Sequence, residues 1–118
     1  MLRATRIKCD PDKALAEAFQ IASRIALATK PQSIYLFGSV AEGSSTDQSD
    51  FDFLVVVRNI QDIRTAQKNL LPSRPLSKNP IDIIWMSESE FESKSRIGGI
   101  ALIAREDGKL LYHEGDLK

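Results

Sequence analysis

The sequence predicts an α/β (α+β) fold, a mixed or mainly parallel central sheet of about four strands flanked by helices. Three observations carry this expectation. Short apolar, β-branched runs alternate along the chain with stretches of helical periodicity, the order that lays helices onto a sheet. The 118 residues, 42% of them hydrophobic, suffice for one core and fall short of two ordinary domains. No internal repeat, low-complexity tract or linker divides them, so residues 1–118 are expected to form one domain, an N-terminal helix over about 11–29 and a core over about 33–113.

From Pro11 to Thr29, Leu15, Ala18, Phe19, Ala22, Ile25 and Ala26 recur three and four residues apart, so one helix face is apolar and should pack on the sheet. Asp10 suits the N-cap and Pro11 the first helical position, while Lys30-Pro31 supplies a cation and then a stop. Ser33 to Phe37, short, aromatic and β-branched, reads as a strand ending at Gly38-Ser39. Glu42 to Ser49 is polar throughout and reads as a loop opened by a helical turn. Phe51 to Val57 is almost continuously apolar, the pattern of a strand covered on both faces. Asp62 to Leu71 reads as a helix with Ile63, Ala66 and Leu70 on one side, and Pro72, Pro75 and Pro80 punctuate its exit. Ile81 to Met86 is the third strand. Ser87-Glu88-Ser89-Glu90 then offers a Ser cap with acids in a first helical turn. Gly98-Gly99 interrupts, Ile100 to Arg105 resumes a helical pattern, and Asp107-Gly108 turns into a last strand, Lys109 to Tyr112.

Sixteen Lys and Arg balance sixteen Asp and Glu, a net charge of zero that argues against a nucleic-acid-coating protein; nucleic acid is not expected as the main partner. Cys9 is the one cysteine, which excludes an intramolecular disulfide or a multi-cysteine zinc site and suits a reducing cytoplasm. Met1 to Lys13 holds Arg3, Arg6, Lys8, Asp10 and Asp12 and no apolar segment of a targeting signal. The apolar run Phe53 to Val57 falls far short of the roughly 20 residues of a membrane span, so a cytoplasmic location is expected.

Acids stand where apolar residues belong. Asp50 and Asp52 are two apart at the start of the second strand, so the pleat turns both carboxylates to one face and Phe51 and Phe53 to the other. Asp82 breaks the apolar strand Pro80-Ile81-Asp82-Ile83-Ile84-Trp85. An unpartnered buried carboxylate costs several kcal/mol, and like charges add to that cost. If the two strands are neighbours, the three carboxylates converge and call for a hard cation such as Mg²⁺ or Mn²⁺, shared with substrate phosphates. Each Asp taken singly also has a structural reading in turn chemistry, a solvated sheet edge or a strand-end cap. Upstream, Gly38 lacks a Cβ and lets a phosphate approach the backbone, and Ser39 offers an N–H and a hydroxyl.

Gly38-Ser39, the stretch Val40 to Ser49, Asp50-Phe51-Asp52-Phe53 and the isolated Asp82 together resemble the signature of the DNA polymerase β-like nucleotidyltransferase superfamily. Phe37-Gly38-Ser39-Val40-Ala41-Glu42-Gly43 with Ser49-Asp50-Phe51-Asp52-Phe53-Leu54-Val55 looks most like the minimal nucleotidyltransferases, often paired with helical HEPN proteins as antitoxin and toxin. The resemblance spans about Ser33 to Tyr112 and implies the nucleotidyltransferase fold and an enzyme that moves a nucleoside monophosphate, AMP from ATP in the first instance, to a hydroxyl acceptor. It implies that Gly38 and Ser39 hold the triphosphate and that Asp50 and Asp52 ligate two Mg²⁺ or Mn²⁺ ions. Asp82 would complete the site as metal ligand, general base or both. The implied acceptor is a tyrosine on a helical HEPN-type partner, within a homo- or hetero-oligomer. One departure stands out: family members close to this pattern commonly carry Arg or Lys where this chain has Glu42, so either Glu42 points to solvent and Lys94, Arg96 or Arg64 meets the phosphates, or the site is weakened or lost. The rival function is a non-catalytic antitoxin that masks its partner. A third, transfer to a small molecule of the aminoglycoside kind, goes with an additional helical domain that this chain has no room for.

Other residues have plainer readings. His113, the sole histidine, suits a strand end, and one histidine builds no His-rich metal site. Trp85 belongs to the core, and Cys9 lacks a nucleophile's setting. Lys68, Arg74 and Lys78 form at most a small solvated basic rim. Gly98-Gly99 lacks the strand-then-helix context of a dinucleotide fingerprint.

Overall fold

The computed structural model describes residues 10–46, 49–73 and 77–115; Cys9 and Arg74 lie outside them. The first described element is helix α1 (Pro11–Thr29), followed by strand β1 (Ser33–Phe37) and the single turn α2 (Ser39–Glu42). Strand β2 (Phe51–Val57) leads through α3 (Asp62–Leu70) to β3 (Ile81–Ser87), and α4 (Glu88–Lys94), α5 (Gly99–Asp107) and β4 (Lys109–His113) complete the order.

Local chemistry sets these boundaries. The Asp10 carboxylate accepts from Asp12 N–H at the start of α1, and Lys30 ends that helix in the left-handed region. Ser87 closes β3 and caps α4, its hydroxyl accepting from Glu90 N–H. Past Leu70, Leu71–Ser73 tightens into a 3₁₀ turn around Pro72, which has no N–H to continue the α-helix.

The four strands lie in the order β3-β2-β1-β4. Among the described residues β2 and β3 alone pair in parallel; β1 runs antiparallel to both β2 and β4. The sheet is therefore mixed, as expected, with about as many strands as the sequence pattern called for. The short α2 turn reverses the chain between β1 and β2, whereas α3 carries it from β2 back to a parallel start.

Apolar side chains fill both faces. On one, Phe51, Phe53, Val55 and Val57 meet Ile21, Ala22, Ile25 and Ala26 of α1 and Ala66 and Leu70 of α3. On the other, Leu54, Val56 and Met86 meet Ala101 and Ala104 of α5, with Tyr35, Phe37 and Phe91 alongside. Burial of β2 on both faces follows, as its apolar run from Phe53 to Val57 requires. Phe19, expected on the buried stripe of α1, is 45% exposed, and Ile21 takes that place. The stripe centres between Ala18, Ile21, Ala22 and Ile25, and Phe19 sits about a quarter turn away from its centre. Trp85 is partly buried against the α1 side.

Gly108 marks the tightest join. A Cβ there would stand 2.5 Å from the Ala104 carbonyl oxygen and 2.6 Å from that of Leu36, both backbone atoms. Gly108→Ala is expected to cost about 1–3 kcal/mol, read as a lower urea midpoint at unchanged slope. Among the described residues no helix is long and apolar enough to cross a membrane.

Candidate active site

Backbone register brings the acids together. Asp52 pairs with Asp82 across the parallel β2–β3 ladder and with Phe37 across the antiparallel β1–β2 ladder. Paired residues in a ladder face the same side, so Asp52, Asp82 and Phe37 share the α5 face, above Leu54 and Ile84. Asp50, one residue ahead of β2, falls on that side by the same alternation. Asp50 and Asp52 are half-buried, and Asp82 is exposed on the edge strand.

Burial pushes the Asp52 carboxyl above the ordinary aspartate range, and the negative charges of Asp82 and then Asp50 push it in the same direction. Asp52 therefore senses both other acids.

The turn after β1 closes over the same carboxylate. Gly38 has φ 81° and ψ −162°, a region that a side chain all but forbids, and a Cβ built on it would stand 2.4 Å from Asp52 Oδ2. The strand end thus lies bare against Asp52. Ser39 follows as the first residue of α2, whose turn is held by Glu42 N–H donating to the Gly38 carbonyl at 3.1 Å. Gly38, Ser39, Asp50, Asp52 and Asp82 meet at one end of the sheet, where β1 stops and β2 and β3 start.

A divalent cation fits this set in donor chemistry and backbone placement: three hard carboxylates, two on consecutive pleats and the third at register, repelling one another in its absence. Among the described residues no three His, Cys, Asp or Glu side chains stand close enough together to hold an ion as they are.

The basic residues expected to meet phosphates are dispersed. Arg64 is exposed on α3, which packs with α1 on the sheet face opposite the acids. Lys94 pairs with Glu90 at 2.6 Å and Arg96 with Glu92 at 3.7 Å along the α4 segment. Glu42 is exposed at the end of α2. His113 ends β4, at the far edge of the sheet from Asp82. Lys68 and Lys78 are exposed, as solvated charges should be.

Two residues at the site carried no functional signal in the sequence. Phe37 lies at register with Asp52 and on its face, which only the antiparallel pairing reveals. Asn79 donates from Nδ2 to the Ser49 carbonyl at 2.8 Å, across 30 residues of chain. An Asn-Pro pair ahead of a strand signals a turn, and nothing local announces the distant carbonyl it reaches.

A family model described as Polymerase beta, Nucleotidyltransferase matches residues 20–112. No curated protein matches the sequence. Among solved structures, a protein of Sulfolobus solfataricus described as a candidate nucleotidyltransferase superposes with a TM-score of 0.58 at 18% identity, over 98% of this chain and 95% of that one. A chain of a toxin-antitoxin structure containing AMP-PNP gives a TM-score of 0.48 at 19% identity, over 82% of this chain and 74% of that one. Identities this low speak to the fold alone.

Proposed function

Because the chain belongs to the polymerase beta nucleotidyltransferase family, whose model it matches over residues 20–112, we propose that it transfers a nucleoside monophosphate, AMP from ATP, to a hydroxyl on a partner protein. In this reading residues 1–118 form one nucleotidyltransferase domain of the minimal type, acting as the antitoxin of a helical HEPN-type toxin. The observation that carries it is the approach of the bare Gly38 backbone to Asp52, itself at register with Asp82.

Gly38 and Ser39 receive the triphosphate: the missing Cβ at Gly38 lets the strand end lie against Asp52, and Ser39 adds its N–H and hydroxyl. Asp50, Asp52 and Asp82 hold the divalent cations, Mg²⁺ or Mn²⁺. When bound, these ions acidify the acceptor hydroxyl and offset the charge of the leaving pyrophosphate. Asp82, exposed on the edge strand, is the acid an acceptor meets first and takes the hydroxyl proton. The acceptor oxygen bonds to the α-phosphorus as the bond to the bridging oxygen breaks, and pyrophosphate leaves with that electron pair. With no covalent enzyme intermediate, the chain contributes position and electrostatics.

Isothermal titration with ATP, with and without Mg²⁺, tests this. Wild type is expected to bind only with the metal and Asp50→Asn not at all; a wild type without metal-dependent binding would overturn the enzyme. A second reading, a partner-masking protein without chemistry, draws on the acid at Glu42 and on the engagement of Lys94 and Arg96 with Glu90 and Glu92. Incubation of the co-expressed pair with α-labelled ATP separates the two: label on the partner means transfer, and a complex without label means masking.

A further inference from the structure

Asp50 precedes the regular part of β2, so the β2–β3 ladder alone does not fix its backbone. Two bonds from the opposite loop do. The peptide before Asp50 is held through its carbonyl, Ser49 O, which accepts from Asn79 Nδ2 at 2.8 Å. The peptide after it is held through its N–H, Phe51 N, which donates to the Pro80 carbonyl at 2.9 Å. With both flanking peptides pinned, the direction of the Asp50 Cα–Cβ bond is set. Both pins belong to the segment that leads into Asp82 two residues later, so one short stretch of chain places two of the three acids relative to each other.

The loop on each side is braced. The Ser49 hydroxyl accepts from Thr46 N–H at 2.8 Å, and Ser49 N–H donates to the Thr46 carbonyl at 3.1 Å, closing the turn ahead of Asp50. On the other side Asn79 N–H donates to the Ser77 hydroxyl at 3.2 Å, and that hydroxyl donates to Glu17 of α1 at 2.7 Å. A polar chain thus runs from α1 through the 77–80 loop to the peptide of Asp50.

We propose that Asn79 is a positioning residue for the metal-binding acids: its side-chain amide clasps the Ser49 carbonyl and keeps Asp50 in place beside Asp52 and Asp82. This rests on the functional reading above, in which those carboxylates hold a divalent cation. Asn79 touches neither ion nor nucleotide; it acts through the Asp50 backbone. Groups that orient a ligand in this way influence metal affinity about 10- to 100-fold.

The test compares wild type, Asn79→Ala and Ile25→Val, the last a core substitution in α1 that loosens the fold without reaching Asp50. Mn²⁺ binding is followed by electron paramagnetic resonance with and without ATP, and amide exchange is read at Phe51 against Val55 in mid-strand. Asn79→Ala is expected to weaken Mn²⁺ binding about 10- to 100-fold and to speed exchange at Phe51 about tenfold, leaving Val55 unchanged. Ile25→Val is expected to leave Mn²⁺ binding intact. Wild-type Mn²⁺ affinity in Asn79→Ala, or exchange that quickens equally at Val55 and Phe51, overturns the proposal. A wild type that binds no Mn²⁺ with or without ATP sinks the nucleotidyltransferase reading instead. Exchange then still decides the clasp, which unchanged Phe51 protection in Asn79→Ala overturns and selective loss at Phe51 supports.

Discussion

Asp52→Asn is expected to abolish metal-dependent nucleotide binding, lower any transfer rate by at least about 10²–10³-fold, and make the metal-free protein more stable at neutral pH. The gain in stability follows from the surroundings of the carboxyl. Asp52 is crowded by burial, by Asp82 and by Asp50, all of which raise its folded-state pKa above that of the unfolded chain. A carboxyl shifted in this direction contributes stability that is fully present below its unfolded pKa and is lost as pH rises through the higher folded one. The metal-free wild type should therefore lose stability from this group on going from about pH 4 to neutral, and Asp52→Asn should lack that part of the loss. Melting temperatures of both proteins across this range, in chelator, check the sign. Parallel curves would mean that Asp52 is not under strain from its neighbours.

Gly38→Ala is the most disruptive single-methyl change expected at the site. The new Cβ must leave a backbone conformation of φ 81° and ψ −162°, and it overlaps Asp52 Oδ2 at 2.4 Å. The backbone strain alone costs about 1–3 kcal/mol. The carboxylate can swing away, but then it no longer lies beside the strand end, so Mn²⁺ and ATP binding should be lost even where the variant is fully folded. Ser39→Ala, which removes a hydroxyl and leaves the backbone as it is, should keep wild-type stability while weakening ATP binding. Denaturation curves beside Mn²⁺ and ATP titrations separate the two. A Gly38→Ala protein that binds both like wild type would show that the Gly38 approach to Asp52 has no part in binding.

Much of this arrangement was legible in the residues because its signals are local. Asp10-Pro11 and Ser87 with its following acids mark helix starts through bonds that span only a few residues, and both caps form. The run Phe51 to Val57 announces a strand covered on both sides because, beyond Asp52, no polar residue offers a face to water. The alternation of Asp50 and Asp52 with two phenylalanines follows from the pleat, and Phe51 and Phe53 are buried on the side away from the acids. What stayed hidden depends on partners far along the chain. Strand direction is one case: residues 38–50 join β1 to β2, a length that also serves a crossover, and no residue in either strand encodes their antiparallel pairing. The remoteness of Arg64 from the acids depends on which face α3 covers, and the reach of Asn79 to Ser49 depends on the placement of two loops. Phe19 shows the limit within a helix, since six apolar residues at helical spacing still leave one at the margin of the buried stripe.

The single parallel pairing also bears on how the protein comes to have a working site at all. Asp50 and Asp52 are joined to Gly38 by a shorter stretch of chain than the one that leads to Asp82, so that half of the constellation can assemble from nearer sequence. Asp82 arrives only when the segment containing α3 has looped back along β2, a closure with a larger entropic cost. Its arrival brings one more negative charge up to Asp52. Docking of β3 is thus opposed by the charges the finished site needs, and a divalent cation present during folding would ease it as well as the chemistry that follows.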